Sequence, residues 1–223
     1  MAHPKNNDEI ANAFDYLTPK DYPIAYTARK WFFCGLQFYV TPDVLVPRVD
    51  TEVLVAEAAK CKPKTVLDLC TGSGCIAIAL AKKLPECQIT AADISPAALE
   101  VARKNASTHK VKIKFVQSDL FENLLPRPLR VHPFVPKGNH FDLIVCNPPY
   151  IKTAEIGKYD ASILHEPRIA LDGGTDGLDF YRQIIKDAPL KKIQVHALGF
   201  ENRKNILRTT QQILRELLQE QLP

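Results

Sequence analysis

The chain has 223 residues, the length of one ordinary domain or of one domain with a small appendage. Its 46% hydrophobic and 24% charged residues are near the globular average, which excludes collagenous, low-complexity and wholly disordered chains. The 29 basic and 25 acidic side chains leave a formal net charge of only +4, so charge permits nucleic acid as a partner but does not indicate it.

The predicted compartment follows from two further features. The longest uncharged stretch, residues 69–81, is shorter than the ~20 apolar residues of a membrane-spanning helix. The segment from Met1 to Glu9 has no apolar core of the kind that signal peptides carry. We therefore expect a cytoplasmic protein in a reducing environment, with its six cysteines as free thiols and no metal site.

Short apolar runs alternate with helical patterns along the chain. In chain order, the predicted elements are an aromatic hairpin at 31–40, a strand at 65–70, a helix at 75–84, a strand at 88–93, a helix from 96 to about 105, strands at 111–117 and 141–146, and a helix at 178–187. This alternation is typical of an α/β fold with a doubly wound, mostly parallel sheet and helices on both faces. Residues 122–140 are rich in proline and predict a long loop, either a tolerated surface insertion or a functional one.

A glycine-rich turn follows the first strand of the predicted sheet. Asp68 lies near the end of that strand, and Thr71, Gly72 and Gly74 precede the helix, where backbone N–H groups face a ligand. The turn also fits the dinucleotide fingerprint, with Asp93 at the ribose-binding position. A carboxylate at Asp68 would repel a pyrophosphate but attract the sulfonium and ammonium groups of S-adenosylmethionine. Charge therefore favours S-adenosylmethionine as the cofactor.

Two acidic residues at later strand ends fit the same cofactor. Asp93 can accept hydrogen bonds from both ribose hydroxyls. Asp119, just after the third strand of the sheet, is suited to the adenine amino group. The alternative for the segment from Ser118 to Leu120 is a helix or turn cap.

The segment Asn147-Pro148-Pro149-Tyr150 directly follows the fourth strand, at the edge where ligands of open α/β sheets bind. A planar amide or amine offers two N–H donors, which Asn147 Oδ1 and the Pro148 carbonyl can accept. The prolines stiffen the loop and preset this geometry. Methyl transfer from a sulfonium needs alignment more than a strong base, so these four residues are predicted to form the catalytic segment, with Asn147 also beside the cofactor.

Several stretches resemble the HemK/PrmC family of protein-glutamine methyltransferases. They are Pro23–Tyr26, Gly35–Val40, Val44–Glu52, Asp68–Gly74, Asn147–Tyr150 and Glu166–Gly174. The resemblance implies a Rossmann-like, class I S-adenosylmethionine-dependent methyltransferase that modifies a glutamine side-chain amide, in PrmC that of the Gly-Gly-Gln motif of peptide-chain release factors. It further implies that Asp68 and Asp93 hold the cofactor, that Asn147 and the following prolines hold the amide, and that Arg48 and Thr51 lie near the cofactor.

Within this family the chain has features of two branches. The aromatic hairpin and Leu45–Arg48 resemble the sister PrmB group, which methylates a ribosomal protein, whereas Asp50–Glu52 and Ile169–Gly174 favour PrmC. We expect residues 1–20 to be a remnant of the family's N-terminal helical region, 21–60 a β-hairpin with a linker helix, and 61–223 the methyltransferase domain.

The resemblance weakens after residue 186. The family completes its sheet there, but residues 191–200 offer one weak strand and residues 206–218 read as an amphipathic helix. We therefore expect an incomplete C-terminal end, with Ile213, Leu214 and Leu217 packing against the sheet edge or a second copy in a homodimer. Low stability and a shortened, inactive form are the other outcomes left open.

Two rival functions stand beside protein-glutamine methylation. The Asn-Pro-Pro-Tyr segment also suits the amino groups of nucleic-acid bases, although the small net charge and the lack of a target-recognition domain disfavour that substrate. A shortened, non-catalytic form that binds a cofactor or a partner is the second rival. The main hypothesis expects a protein substrate, either a release factor or a ribosomal protein, and neither a membrane nor direct nucleic-acid contact.

Overall fold

A four-stranded parallel sheet organises the protein, and the computed structural model describes residues 4–124 and 141–188 of the chain. The helices are α1 (Asn7–Phe14), α2 (Ile24–Ala28), α3 (Glu52–Lys60), α4 (Cys75–Lys83), α5 (Pro96–His109) and α6 (Asp179–Asp187). The strands are β1 (Trp31–Phe33), β2 (Leu36–Phe38), β3 (Thr65–Leu69), β4 (Gln88–Asp93), β5 (Lys114–Gln117) and β6 (Leu143–Cys146). Within these ranges no helix is long and apolar enough to cross a bilayer.

The sheet has the strand order β5-β4-β3-β6, with every pairing parallel. Leu69 of β3 is in register with Ala92 of β4 and with Cys146 of β6, so these three strands end in one row. The chain runs outward from β3 through β4 to β5 and then returns to the other side of β3. Ligands of open α/β sheets bind at such a reversal of strand order, beyond the carboxyl ends of the strands.

Both faces of the sheet are covered, as the predicted doubly wound fold requires. Alternate residues of β3 divide between two apolar clusters because successive side chains of a strand point to opposite faces. Val66 belongs to the cluster that contains residues of α3, α4 and α5. Leu67 and Leu69 belong to the cluster that contains Ile184 of α6. The predicted α/β fold is therefore confirmed.

The predicted aromatic hairpin is also confirmed. β1 and β2 pair antiparallel, and Cys34 and Gly35 between them have positive φ angles of 50° and 72°, as a type I′ turn requires. The side chain of Asn7 binds α1 to this hairpin, because its Oδ1 accepts from the Phe32 N–H at 2.7 Å and its Nδ2 donates to the Phe32 carbonyl at 3.0 Å.

Two element boundaries differ from the sequence-based expectation. α5 continues to His109, and Lys110 then adopts a left-handed conformation that ends the helix. Val111 donates its N–H to the Ala106 carbonyl at 3.1 Å, so it belongs to this helix end, and β5 begins only at Lys114. The alternating pattern at 111–117 therefore covers two structures: the residues that follow the end of α5, and a strand that is shorter than predicted.

Part of the expectation lies outside the described residues. This applies to residues 125–140 of the proline-rich segment, to the weak strand at 191–200, and to Ile213, Leu214 and Leu217 with the homodimer expected through them. The division of the chain at residues 20 and 60 stays a prediction.

A buried amide on α5 joins the hairpin to the loop after β3. Asn105 is 1% exposed, and its Oδ1 accepts from the Tyr39 N–H at 2.7 Å. Its Nδ2 donates to the carbonyls of Tyr39 and Ser73, both at 2.9 Å. One side chain thus satisfies three backbone groups from two separate segments.

Replacing Asn105 with Ala should lower the free energy of unfolding by about 1–3 kcal/mol, because it leaves buried backbone groups without partners. Denaturant unfolding measures the loss. Asn12→Ala is the matched control, since Asn12 is an exposed residue of α1 and its replacement should change stability by less than about 0.5 kcal/mol. An Asn105→Ala variant as stable as the wild type would contradict this role.

Candidate active site

The glycine-rich turn between β3 and α4 reverses the chain at the end of the central strand. Thr71 donates its N–H to the Ala92 carbonyl of β4 at 3.0 Å, which fixes the turn to the sheet. Gly72 has φ +53°, and a Cβ there would meet nothing within 4 Å. Gly74 has φ +79°, but a Cβ there would lie 3.1 Å from Ala102 Cβ on α5. Gly72 therefore leaves space for a ligand, whereas Gly74 allows close packing of the two helices.

Asp68 lies beneath this turn. It is fully buried, and its Oδ2 accepts from Thr71 Oγ1 at 2.6 Å and from the Ala77 N–H at 3.2 Å. Its Oδ1 has no hydrogen-bond partner among the described residues. Burial raises the pKa of this carboxyl to about 7, against the lowering effect of the two hydrogen bonds. Asp68 thus stabilises the conformation of the turn through these two hydrogen bonds.

Asp93 at the end of β4 also binds the backbone of this turn. Its Oδ2 accepts from the Gly72 N–H at 2.8 Å and its Oδ1 from the Ser95 N–H at 2.9 Å. Burial raises its pKa, while these backbone hydrogen bonds lower it. Each carboxylate oxygen keeps a further lone pair, so Asp93 can still accept from a bound hydroxyl.

A cavity of about 290 Å³ lies beyond the carboxyl ends of β3, β4 and β6. Its walls include eight of the residues predicted for the site, namely Arg48, Thr51, Thr71, Gly72, Asp93, Asp119, Asn147 and Pro149. Asp68, Gly74, Pro148 and Tyr150, also predicted, are not on this wall. The structure therefore brings most of the predicted residues around one space, and places Asp68 and Gly74 in the turn behind it.

Ser118 and Asp119 follow β5 and have different surroundings. Ser118 is buried, and its Oγ accepts from the Asn123 N–H at 2.9 Å, so this residue caps the turn. Asp119 is exposed and lines the cavity. Sequence reasoning missed Phe180 and Gln183 of α6, which also line the cavity. Their spacing of three residues, on one face of a helix just beyond the glycine-rich Gly173–Gly177 segment, is the signal that could have found them.

The segment Asn147–Tyr150 is held by close backbone contacts. Ile151 donates its N–H to the Leu171 carbonyl at 2.9 Å, and Gly173 donates its N–H to the Ile151 carbonyl at 2.8 Å. A Cβ at Gly173 would lie 2.6 Å from Tyr150 Cα, so only glycine permits this approach. Asn147 Oδ1 is buried and has no hydrogen-bond partner within the described part of the chain. A rigid loop thus presents a hydrogen-bond acceptor beside the cavity.

Arg48 and Thr51 enter the cavity wall from the segment between β2 and α3. Thr51 is buried and donates its N–H to the Arg48 carbonyl at 3.0 Å. The Arg48 guanidinium forms an ion pair with Glu166, whose side chain is 2% exposed. This pair joins the segment before the sheet to the one that follows Asn147–Tyr150.

A doubly wound parallel sheet with a glycine-rich turn, strand-end acids and a cavity at the carboxyl ends defines a Rossmann-like domain of the class I methyltransferase type. The model of the methyltransferase small domain family matches residues 47–174, and the chain belongs to that family. A solved methyltransferase from Pyrococcus furiosus shares the fold with a TM-score of 0.54 and 17% identity, over 82% of this chain and 78% of that one.

Curated relatives confirm the resemblance to the protein-glutamine methyltransferases. The "Release factor glutamine methyltransferase" of Geobacter sulfurreducens is 44% identical over 191 residues, which are 83% of this chain and 63% of the relative. The protein of the same name from Moorella thermoacetica is 43% identical over 173 residues, 75% of this chain and 57% of the relative. The chain thus spans less than two thirds of the length of these relatives.

Asp68 should make stability depend on pH. Its folded pKa of about 7 is above the ordinary value near 4, so between these values the folded state keeps a proton that the unfolded state has lost. Stability from this group therefore falls as pH rises through this window. From pH 5 to 7, the wild type should lose about 1–3 kcal/mol more unfolding free energy than Asp68→Asn, measured in denaturant. Equal pH slopes would contradict the assigned pKa.

Proposed function

We propose that this domain transfers a methyl group from S-adenosylmethionine to the side-chain amide of a glutamine in a protein. The observation that carries the proposal is Asn147 Oδ1, a buried acceptor without a partner among the described residues, at a cavity wall that also carries Asp93. A buried acceptor without a partner is costly, and an N–H of a bound amide would relieve that cost. The binding sites for the methyl donor and for the acceptor amide would then lie in the same cavity.

The charges around the cavity support a cationic cofactor. Its described wall carries three carboxylates, from Asp43, Asp93 and Asp119, and one guanidinium, from Arg48, which is already paired with Glu166. Carboxylates attract a sulfonium and an ammonium but repel a pyrophosphate. This balance favours S-adenosylmethionine over a dinucleotide.

The roles of the cofactor-binding residues follow from their positions. Asp93 would accept from the ribose hydroxyls and Asp119 from the adenine amino group. Thr71 and Gly72 would present the turn backbone to the cofactor, with the open space at Gly72 permitting close approach. Asp68 and Gly74 would act indirectly, through the shape of the turn. When bound, the cofactor supplies a methyl group on a positively charged sulfur.

Asn147 and Pro148 would hold the acceptor amide. Asn147 Oδ1 and the Pro148 carbonyl can accept its two N–H groups, which turns the nitrogen lone pair toward the methyl donor. Pro149 and Tyr150 complete the stiff loop, and the backbone of Gly173 packs directly against Tyr150. The chemistry is a displacement that depends on alignment, so a neutral amide can react without a strong base in the site.

A peptide-chain release factor is the substrate we favour, since the relatives described above carry the name release factor glutamine methyltransferase. A ribosomal protein, as in the PrmB branch, is the alternative that the aromatic hairpin favours. Methylation of a nucleic-acid base is disfavoured by the wall of three carboxylates, because phosphate backbones need basic surfaces.

Replacing Asp93 with Ala should weaken S-adenosylmethionine binding by about 1–3 kcal/mol, because hydrogen bonds to the ribose are lost and the turn loses its anchor at Gly72. Isothermal titration calorimetry measures the affinity. Glu86→Ala removes an exposed acid outside the cavity and should leave the affinity unchanged. Unchanged affinity in Asp93→Ala, or tight NAD binding by the wild type, would refute the cofactor assignment.

Replacing Asn147 with Ala should lower kcat about 10²–10³-fold, the usual cost of removing one group that orients or stabilises the reacting atoms. Cofactor affinity should stay within about threefold, because Asn147 acts on the acceptor. Steady-state methyl transfer and calorimetry give the two values, with Asn12→Ala as an exposed control. Normal turnover in Asn147→Ala would refute the role of this loop.

A further inference from the structure

A single buried carboxylate connects the segment between β2 and α3 to the segment after β6. Glu166 Oε1 accepts from Arg48 Nη2, and its Oε2 accepts from the Val46 N–H at 3.1 Å. Both oxygens of one side chain therefore bind the same short segment, once at its backbone and once at its guanidinium. Glu166 is 120 residues from Val46 in sequence, so this contact exists only in the folded protein.

Arg48 lies where two cavities meet. The second cavity, of about 390 Å³, is lined by Tyr150, Tyr159 and Ile163 among others. It shares Leu45, Arg48 and Ala170 with the cavity at the carboxyl ends of the strands. The Arg48 side chain is 24% exposed, so it is open to ligands as well as bound to Glu166.

The ion pair is better suited to fixing geometry than to adding stability. Burial raises the pKa of Glu166 even though Arg48 and the Val46 N–H oppose that rise, which shows that desolvation of the carboxyl is the larger effect. Buried ion pairs contribute little net stability, but one partner cannot move away without leaving the other charge buried and unpaired. Glu166 therefore restricts where the Arg48 guanidinium can lie.

The Arg48 guanidinium supplies hydrogen-bond donors, which the two acceptor atoms, Asn147 Oδ1 and the Pro148 carbonyl oxygen, cannot supply. In the proposed arrangement, Asn147 Oδ1 and the Pro148 carbonyl accept the two N–H groups of the amide, and the amide carbonyl oxygen still needs a donor. A guanidinium carries five N–H donors in a rigid fork, and Glu166 occupies one side of it. Arg48 is also the one Lys or Arg side chain among the described residues that line the two cavities.

We propose that Glu166 is a positioning residue that holds the Arg48 guanidinium at the wall shared by the two cavities, where the guanidinium donates to the carbonyl oxygen of the acceptor amide. This inference rests on the proposed methyl transfer to glutamine and adds to it a group that distinguishes an amide from an amine. An amide presents both N–H donors and a carbonyl acceptor, and Asn147 with Arg48 would satisfy both.

The test is Glu166→Gln, which keeps the side-chain shape and an oxygen for the Val46 N–H but removes the charge that holds Arg48. We expect kcat/KM for the acceptor protein to fall at least tenfold, while S-adenosylmethionine affinity by calorimetry stays within threefold. Glu57→Gln is the matched control, because it removes a pair with Lys60 on the exposed side of α3 and should change neither value. Arg48→Lys keeps a positive charge beside Glu166 and should reproduce the loss, because the fork is gone.

The possible results distinguish failure of the proposed function from failure of the positioning role of Glu166. Wild-type protein that transfers no methyl group to glutamine would overturn the proposed function and this inference with it. Normal wild-type turnover with unchanged kcat/KM in Glu166→Gln and Arg48→Lys would overturn the positioning role alone. Equal losses of cofactor affinity and of acceptor kcat/KM would also overturn it, since they would indicate general damage to the site. If Glu166→Gln does not fold, the result for Arg48→Lys decides.

Discussion

The parallel register of three strands is the constraint on which the site depends. Because Leu69, Ala92 and Cys146 stand in one row, the residues that follow β3, β4 and β6 emerge side by side. The turn at Gly72, the carboxylate of Asp93 and the amide of Asn147 thus reach one cavity although they are distant in sequence. A shift of one residue in any pairing would move the side chains of that strand to the opposite face and separate the three loops.

Around this row, buried polar groups set the geometry of the site at a cost in stability. Asp68 is fully enclosed beneath the turn, where it binds Thr71 and Ala77 and keeps a raised pKa. Among the described residues, Asn147 Oδ1 at the cavity wall has no hydrogen-bond partner, which is energetically unfavourable for a buried atom. Such groups are expected where a protein must recognise a ligand, because a bound donor can satisfy them. The Asn147 loop is therefore better suited to binding a ligand than to adding stability.

Residues at strand ends were predictable from the sequence, whereas contacts between distant segments were not. Asp93, Asp119 and Asn147 follow apolar runs, so their convergence on one cavity follows from strand order and parallel pairing. Gly74 and Asp68 were expected to face the cofactor, but glycine spacing alone does not distinguish an open turn from close helix packing, and a strand-end acid does not reveal which side of the turn it occupies. The pairing of Arg48 with Glu166 depends on how a loop after β6 folds back, which no local periodicity encodes.

In the proposed reaction, the cavity at the carboxyl ends of β3, β4 and β6 aligns a methyl donor with a glutamine amide. The most direct measurement of this reaction is tandem mass spectrometry of acceptor proteins after incubation with this chain and isotopically labelled S-adenosylmethionine. A release factor and a ribosomal protein serve as separate acceptors, and a release factor with Gln replaced by Ala in its Gly-Gly-Gln motif is the control. We predict one labelled methyl group on the side-chain nitrogen of a glutamine, within that motif of the release factor and absent from the control. Label on an amine of either acceptor protein, or on no acceptor at all, would contradict this prediction.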